Sequence, residues 1–209
     1  MFLCFIPAIV VHEVSHGFMA NRLGDPTAKE KGRLSFNPLK HIDPFGTVLL
    51  PIVLALSGGP VFGYAKPVPY NPRYFKNIRM GEFLTGMAGP ASNFIMALLG
   101  IVVGNIIIHN GLFTTDVGYW TVTVSLYFTL INLCLAFFNL IPLPPLDGSS
   151  IIAFFLNDNA LRQYYRIQRY SLPILLVILF LVPLITGFNI IGEYLNLTAI
   201  NITLWAFGG

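Results

Sequence analysis

Ile9-Val10-Val11-His12-Glu13-Val14-Ser15-His16-Gly17 sits inside an apolar run over residues 1–20. On a helix, His12 and His16 are four residues apart, so both imidazoles project from one face and can hold one metal ion. Glu13 lies one position round from His12, placed to move protons on a water without being a ligand itself. The bland alternative is a pair of core histidines on a buried helix. Three ionisable groups on one membrane-length apolar helix are costly without a function, which favours the metal reading.

The rest of the composition puts that helix in a bilayer. Of 209 residues, 55% are hydrophobic and 10% charged, and the mean hydropathy is +0.72. A soluble domain carries about 25% charged residues. An all-α integral membrane protein is expected, one domain over 1–209 with no polar stretch long enough for a soluble appendage. The net charge of +3 is modest, and no basic face with interleaved aromatics argues for nucleic acid. Cys4 and Cys134 lie in apolar runs without a C-x-x-C partner and read as small buried hydrophobes. The first segment lacks a basic n-region and carries the metal motif, so it is not read as a cleaved signal peptide. A start upstream of Met1 stays open.

Five apolar stretches stand out, at 1–20, 45–62, 83–108, 121–141 and 172–191. Each is near the ~20 residues that cross a bilayer as a helix. If all five crossed, the basic loops 21–43 and 63–82 would face opposite sides, against the positive-inside rule. Stretch 45–62 has Pro51 in its middle and Ser57-Gly58-Gly59-Pro60 near its end, which suits a re-entrant hairpin. With 45–62 re-entrant, four spans remain, and all twelve Lys and Arg face the cytoplasm. In that topology 172–191 runs outward and the tail 192–209 lies outside. Arg162, Arg166 and Arg169 share one helical face, expected to meet lipid headgroups. Gly100-Ile-Val-Val-Gly104 lets helix backbones approach closely, for internal packing or for dimerisation.

Two histidines leave a zinc ion needing a third protein ligand. Phe138-Asn139-Leu140-Ile141-Pro142-Leu143-Pro144-Pro145-Leu146-Asp147-Gly148 ends the fourth stretch with three prolines that cannot continue a helix. Unwound backbone at membrane depth is tolerated where it is buried in protein or lines a cavity. Asp147 is the only acid between Asp116 and Asp158; its plain alternative is a helix-capping loop aspartate. A first helix ending near Asn21 puts His16 roughly 8 Å and His12 roughly 14 Å below its cytoplasmic end. The fourth stretch ends on that same side, so Asp147 can meet both histidines.

His12-Glu13-x-x-His16 in a membrane helix, Gly89-Pro90-x-x-Asn93, and Asn139-x-x-Pro142-x-x-x-x-Asp147-Gly148 together resemble the site-2 protease family of intramembrane zinc metallopeptidases, peptidase family M50. Gly24-Asp25-Pro26-Thr27-Ala28, Gly32-Arg33-Leu34, the run from Asn37 to Pro44 and that from Gly63 to Pro69 look like a compact prokaryotic branch without a PDZ domain. The resemblance extends to about residue 180. It implies one Zn2+ per chain held by His12, His16 and Asp147, with Glu13 as catalytic acid/base and Asn139 and Asn93 near the substrate. It also implies a multi-pass protein of the cell membrane, with its site toward the cytoplasm and transmembrane proteins or peptides as substrates. Such substrates must unwind locally to expose a peptide bond, which favours helix-destabilising residues near the cut. The run 62–69 offers an edge for strand addition, or is a plain proline-rich linker. A catalytically silent scaffold is the main alternative, and intact Glu13 speaks against it. A metal carrier would need further acids or histidines along the spans.

Overall fold

Long apolar runs become long helices. The structure, a computed structural model, describes residues 2–49 and 66–208. Four helices among these residues are long and apolar enough to cross a membrane: Leu3–Arg22, Ile78–His109, Asp116–Asn139 and Asp158–Thr186. We refer to them as the first to fourth spans. No strand occurs among the described residues, so the all-α membrane architecture holds. The hairpin expected over 45–62 lies, from residue 50 on, outside the described residues. Its opening, Pro44–Leu49, is a wide helical turn that starts where the Gly46 N–H meets Asp43 Oδ1 at 2.7 Å.

Side-chain caps set the helix starts. Asn77 accepts from the Met80 N–H at 3.1 Å, so the second span begins at Ile78 and takes Arg79 and Glu82 into its first turns. Thr115 caps the third span through Gly118 at 3.0 Å, and Asn157 caps the fourth through Ala160 at 2.9 Å. Each cap satisfies one of the amides that a helix start leaves without a partner.

The first three spans pack on one another, the second against the third most extensively. Cys4 and Ala8 of the first span meet Met96 of the second and Ile131 of the third in one buried cluster. Small residues permit that approach. A Cβ at Gly100 would lie 2.5 Å from Thr129 Oγ1 and 3.1 Å from the Ser125 carbonyl, and one at Gly104 would collide with the Phe207 ring. The Gly100–Gly104 pair therefore serves internal packing. Both cysteines are free, and Cys4 is buried.

The tail, expected as a segment on the outer side of the membrane, forms a helical run over 190–206 against the second and third spans. The Tyr194 hydroxyl donates to the Phe137 carbonyl at 3.3 Å, Ala199 is buried with Ala97 and Leu133, and Asn105 donates to the Ala206 carbonyl at 2.9 Å. Ala199 thus belongs to the buried core. The fourth span has a different course. It starts beside the second span, where Asp158 pairs with Arg79, and it is 29 residues long, about 43 Å at 1.5 Å per residue. By Tyr194 the chain is already back at Phe137, near the end of the third span. The fourth span packs little on the first three, and 11% of its apolar window is buried.

Candidate metal centre

The helix of the first span sets His12 and His16 side by side, with Nε2 atoms 3.1 Å apart. Where the third span ends, the chain folds back and brings in Asp147. Its Oδ2 lies 3.1 Å from His12 Nε2 and its Oδ1 3.3 Å from His16 Nε2. One ligand atom from each residue falls within 4.8 Å of the others. Asp147 can reach this position because Gly148 has no side chain; a Cβ there would overlap the carbonyls of Leu140 and Ile141.

Both imidazoles are held from behind. His16 Nδ1 is 2.7 Å from the Thr85 carbonyl, which can only accept, so Nδ1 carries the proton. His12 Nδ1 is 2.5 Å from Asn93 Oδ1. The Asn93 amide nitrogen donates to the Ala8 carbonyl at 3.2 Å and to Asn132 Oδ1 at 2.8 Å, so its oxygen faces His12 and accepts. With Nδ1 of each ring held by an acceptor, Nε2 is the nitrogen left to bind a metal. The two Nε2 atoms and the Asp147 carboxylate therefore converge on one point, where a bound cation would be held by all three. Asp147 Oδ2 is buried with no hydrogen-bond partner. Two imidazole nitrogens and one carboxylate oxygen are a donor set that suits zinc.

The second span makes the room. A Cβ at Gly89 would lie 2.5 Å from His16 Nε2 and 2.6 Å from His12 Cε1. Thr85, Gly89 and Asn93 recur every four residues, so one helix face supplies an acceptor, a space and a second acceptor. That stripe of small and polar residues is the signal from which these contacts were readable. The structure also changes the part given to Asn93. Its side chain has no accessible surface, and it lies behind His12, out of reach of a substrate. Asn139 is half-buried at the end of the third span and donates to the Leu135 carbonyl of its own helix at 2.9 Å; it is not among the converging ligand atoms.

Glu13 has a partner that no motif announced. Its Oε2 accepts from the Val68 N–H at 2.8 Å. Lys66 and Val68 each precede a proline and are biased to extended backbone, and residues 66–71 form a strap over the end of the first span. The Lys66 N–H donates to the His41 carbonyl at 2.9 Å. Arg33 donates to the Lys66 carbonyl at 2.6 Å, and the Asn71 N–H donates to Asp25 Oδ2 at 2.5 Å. The Val68 side chain is seated on Gly17, where a Cβ would be 2.7 Å from Val68 Cγ1. Pro67 and Pro69 have no N–H, so Val68 alone in this triplet has an N–H to donate. Of the run expected to offer a strand edge, 66–69 is this strap, and 62–65 lies outside the described residues.

A membrane-embedded helical bundle with a His-Glu-x-x-His helix and a distant aspartate brought to both histidines is the setting of a metal-dependent membrane enzyme. Residues 102–182 match the family model described as Peptidase family M50. Over 197 residues the chain is 36% identical to "Putative zinc metalloprotease YwhC" of Bacillus subtilis, covering 93% of this chain and 84% of that protein. It is 25% identical over 207 residues to "Putative zinc metalloprotease Rip2" of Mycolicibacterium smegmatis, and 27% over 209 residues to the protein of that name from Mycobacterium tuberculosis. These two alignments each cover 98% of this chain and 76% of the relative. No solved structure matches the chain significantly. The chain belongs to peptidase family M50.

Proposed function

We propose that this protein is an intramembrane protease that hydrolyses peptide bonds in or near transmembrane segments of membrane-protein substrates, as in regulated intramembrane proteolysis. It is a zinc metalloprotease by family, and a multi-pass membrane protein by its spans. The observation that carries the finer reading is the convergence of His12, His16 and Asp147 within 4.8 Å, at the core of the packed spans and beside Glu13. In this reading those three residues hold the zinc and Glu13 is the catalytic acid and base.

When bound, zinc supplies the Lewis acidity that makes water nucleophilic at neutral pH and polarises a carbonyl. Glu13 takes the proton from the attacking water and returns it to the leaving amine as the peptide C–N bond breaks. The Val68 N–H fixes the Glu13 carboxylate through one oxygen, so the other is aimed and not swinging. Thr85 and Asn93 keep Nε2 of each histidine as the ligand atom, and packed spans keep bulk water low around the centre. Asn139, where the third span unwinds toward Asp147, is our candidate for contact with an unwound substrate. The site faces the cytoplasm because, in the positive-inside topology, every Lys and Arg belongs to the loops and helix ends on that side.

The test is cleavage of a panel of single-span model substrates by detergent-purified protein, comparing wild type with Glu13→Ala and Asp147→Ala and assaying zinc on all three. The expected result is zinc in wild type and Glu13→Ala, reduced zinc in Asp147→Ala, and cleavage by wild type alone. Full zinc in Asp147→Ala would remove it from the ligand set. Zinc without cleavage of any panel member would favour a silent scaffold.

A further inference from the structure

Behind His12 the polar contacts continue one step deeper than a metal centre needs for its immediate support. Asn93 is in the second span and Asn132 in the third, and neither has accessible surface. Two carboxamides at the junction of three apolar helices are costly unless every polar atom is matched. Here the matching has a direction. Asn132 Nδ2 donates to the Phe128 carbonyl at 2.8 Å, which orients that amide and turns Oδ1 toward Asn93. Asn93 Nδ2 donates to this oxygen and to the Ala8 carbonyl, which turns Asn93 Oδ1 toward His12.

We propose that Asn132 is a positioning residue for the metal centre: through Asn93 it locks His12 in the tautomer that leaves Nε2 free to bind zinc. A flipped Asn93 would point its oxygen at two acceptors, the Ala8 carbonyl and Asn132 Oδ1, and its NH2 at His12 Nδ1. That would move the imidazole proton to Nε2 and remove a ligand. Without Asn132 only the Ala8 carbonyl opposes the flip. The chain of contacts runs from one main-chain carbonyl of the third span to the ligand atom of the first, so its effect is on metal retention before it is on substrate.

The proposal rests on the reading of His12 as a zinc ligand, and zinc itself is the readout. Full-length protein is loaded with zinc and the rate of its loss to a chelator is measured for wild type, Asn132→Leu and Asn132→Asp, alongside the visible spectrum of the cobalt-substituted forms. Removing a partner of a metal-ligating histidine typically costs roughly 10–100-fold in affinity; Asn132 acts one bond further away, and about tenfold faster loss is expected for Asn132→Leu. Asn132→Asp, neutral in this apolar setting, offers an O–H to the Phe128 carbonyl and an acceptor to Asn93, so it is expected to retain zinc and the wild-type cobalt spectrum. Unchanged zinc loss in Asn132→Leu would overturn the proposal. So would equal loss in both variants, which would mark Asn132 as a packing residue. Wild-type protein that binds no zinc would overturn the ligand assignment beneath it.

Discussion

The first three spans and the fourth are similar in hydropathy, yet they behave differently. In the first three, 44%, 28% and 33% of the apolar window is buried, against 11% in the fourth. The first three present Ala8, Ala97, Gly100, Gly104 and Thr129 to one another, and all of these are buried. From Leu172 to Thr186 the fourth has only leucine, isoleucine, valine, phenylalanine and proline before its last threonine. Lipid tails are as apolar as leucine, so large aliphatic side chains gain little by leaving lipid for protein. Small residues let backbones meet, and buried amides need each other. Hydrophobicity puts a helix in the membrane; small and polar residues decide what it touches there.

That contrast is most exposed at the metal centre. Gly89→Val would drive a branched side chain into both imidazoles, and zinc affinity is expected to fall by about 100-fold, the upper end for disturbing ligand orientation. Zinc content after dialysis against chelator measures it, and a fully loaded Gly89→Val would show that the rings do not need this space. Next in size is the packing seam. Gly100→Val, 2.5 Å from Thr129 Oγ1 at its Cβ, is expected to destabilise the bundle by about 1–3 kcal/mol through overpacking, read from thermal unfolding in detergent. A variant as stable as wild type would mean the second and third spans can separate without penalty.

Arg79→Ala should matter less. The guanidinium pairs with Asp158 at an exposed position, where an ion pair contributes up to about 1 kcal/mol, and the effect should shrink as salt is raised. Smallest of all is Leu184→Ala in the fourth span. Leu184 is 82% exposed, and a change within about 0.5 kcal/mol is expected in the same unfolding assay. A loss of several times that amount would mean this face is covered in the assembled protein, and would break the contrast between the spans.

Much of this was legible in the chain. Four membrane helices, the paired histidines, Glu13 beside them and the return of Asp147 all follow from residue spacing, hydropathy and the charge balance of the loops. The packing of the tail was not foreseen because apolar length alone does not say where a helix packs; Tyr194, Ala199 and Phe207 find partners in the second and third spans. Asn93 was placed near substrate because a motif names residues without saying which way they face. The Val68 N–H could not be read at all, since a main-chain donor leaves no mark on side-chain identity.

The sequence by itself determined that this chain enters a membrane as helices and carries a set of residues able to hold zinc next to Glu13. Those conclusions depend on periodicity, on composition and on side-chain chemistry, all of them local. Tertiary structure alone decided which imidazole nitrogen faces Asp147, where space is left for the rings, what holds Glu13 still, and which helix packs least on the others. Each of those depends on atoms far apart in sequence coming within hydrogen-bond or van der Waals distance, and only the packed backbone sets such distances.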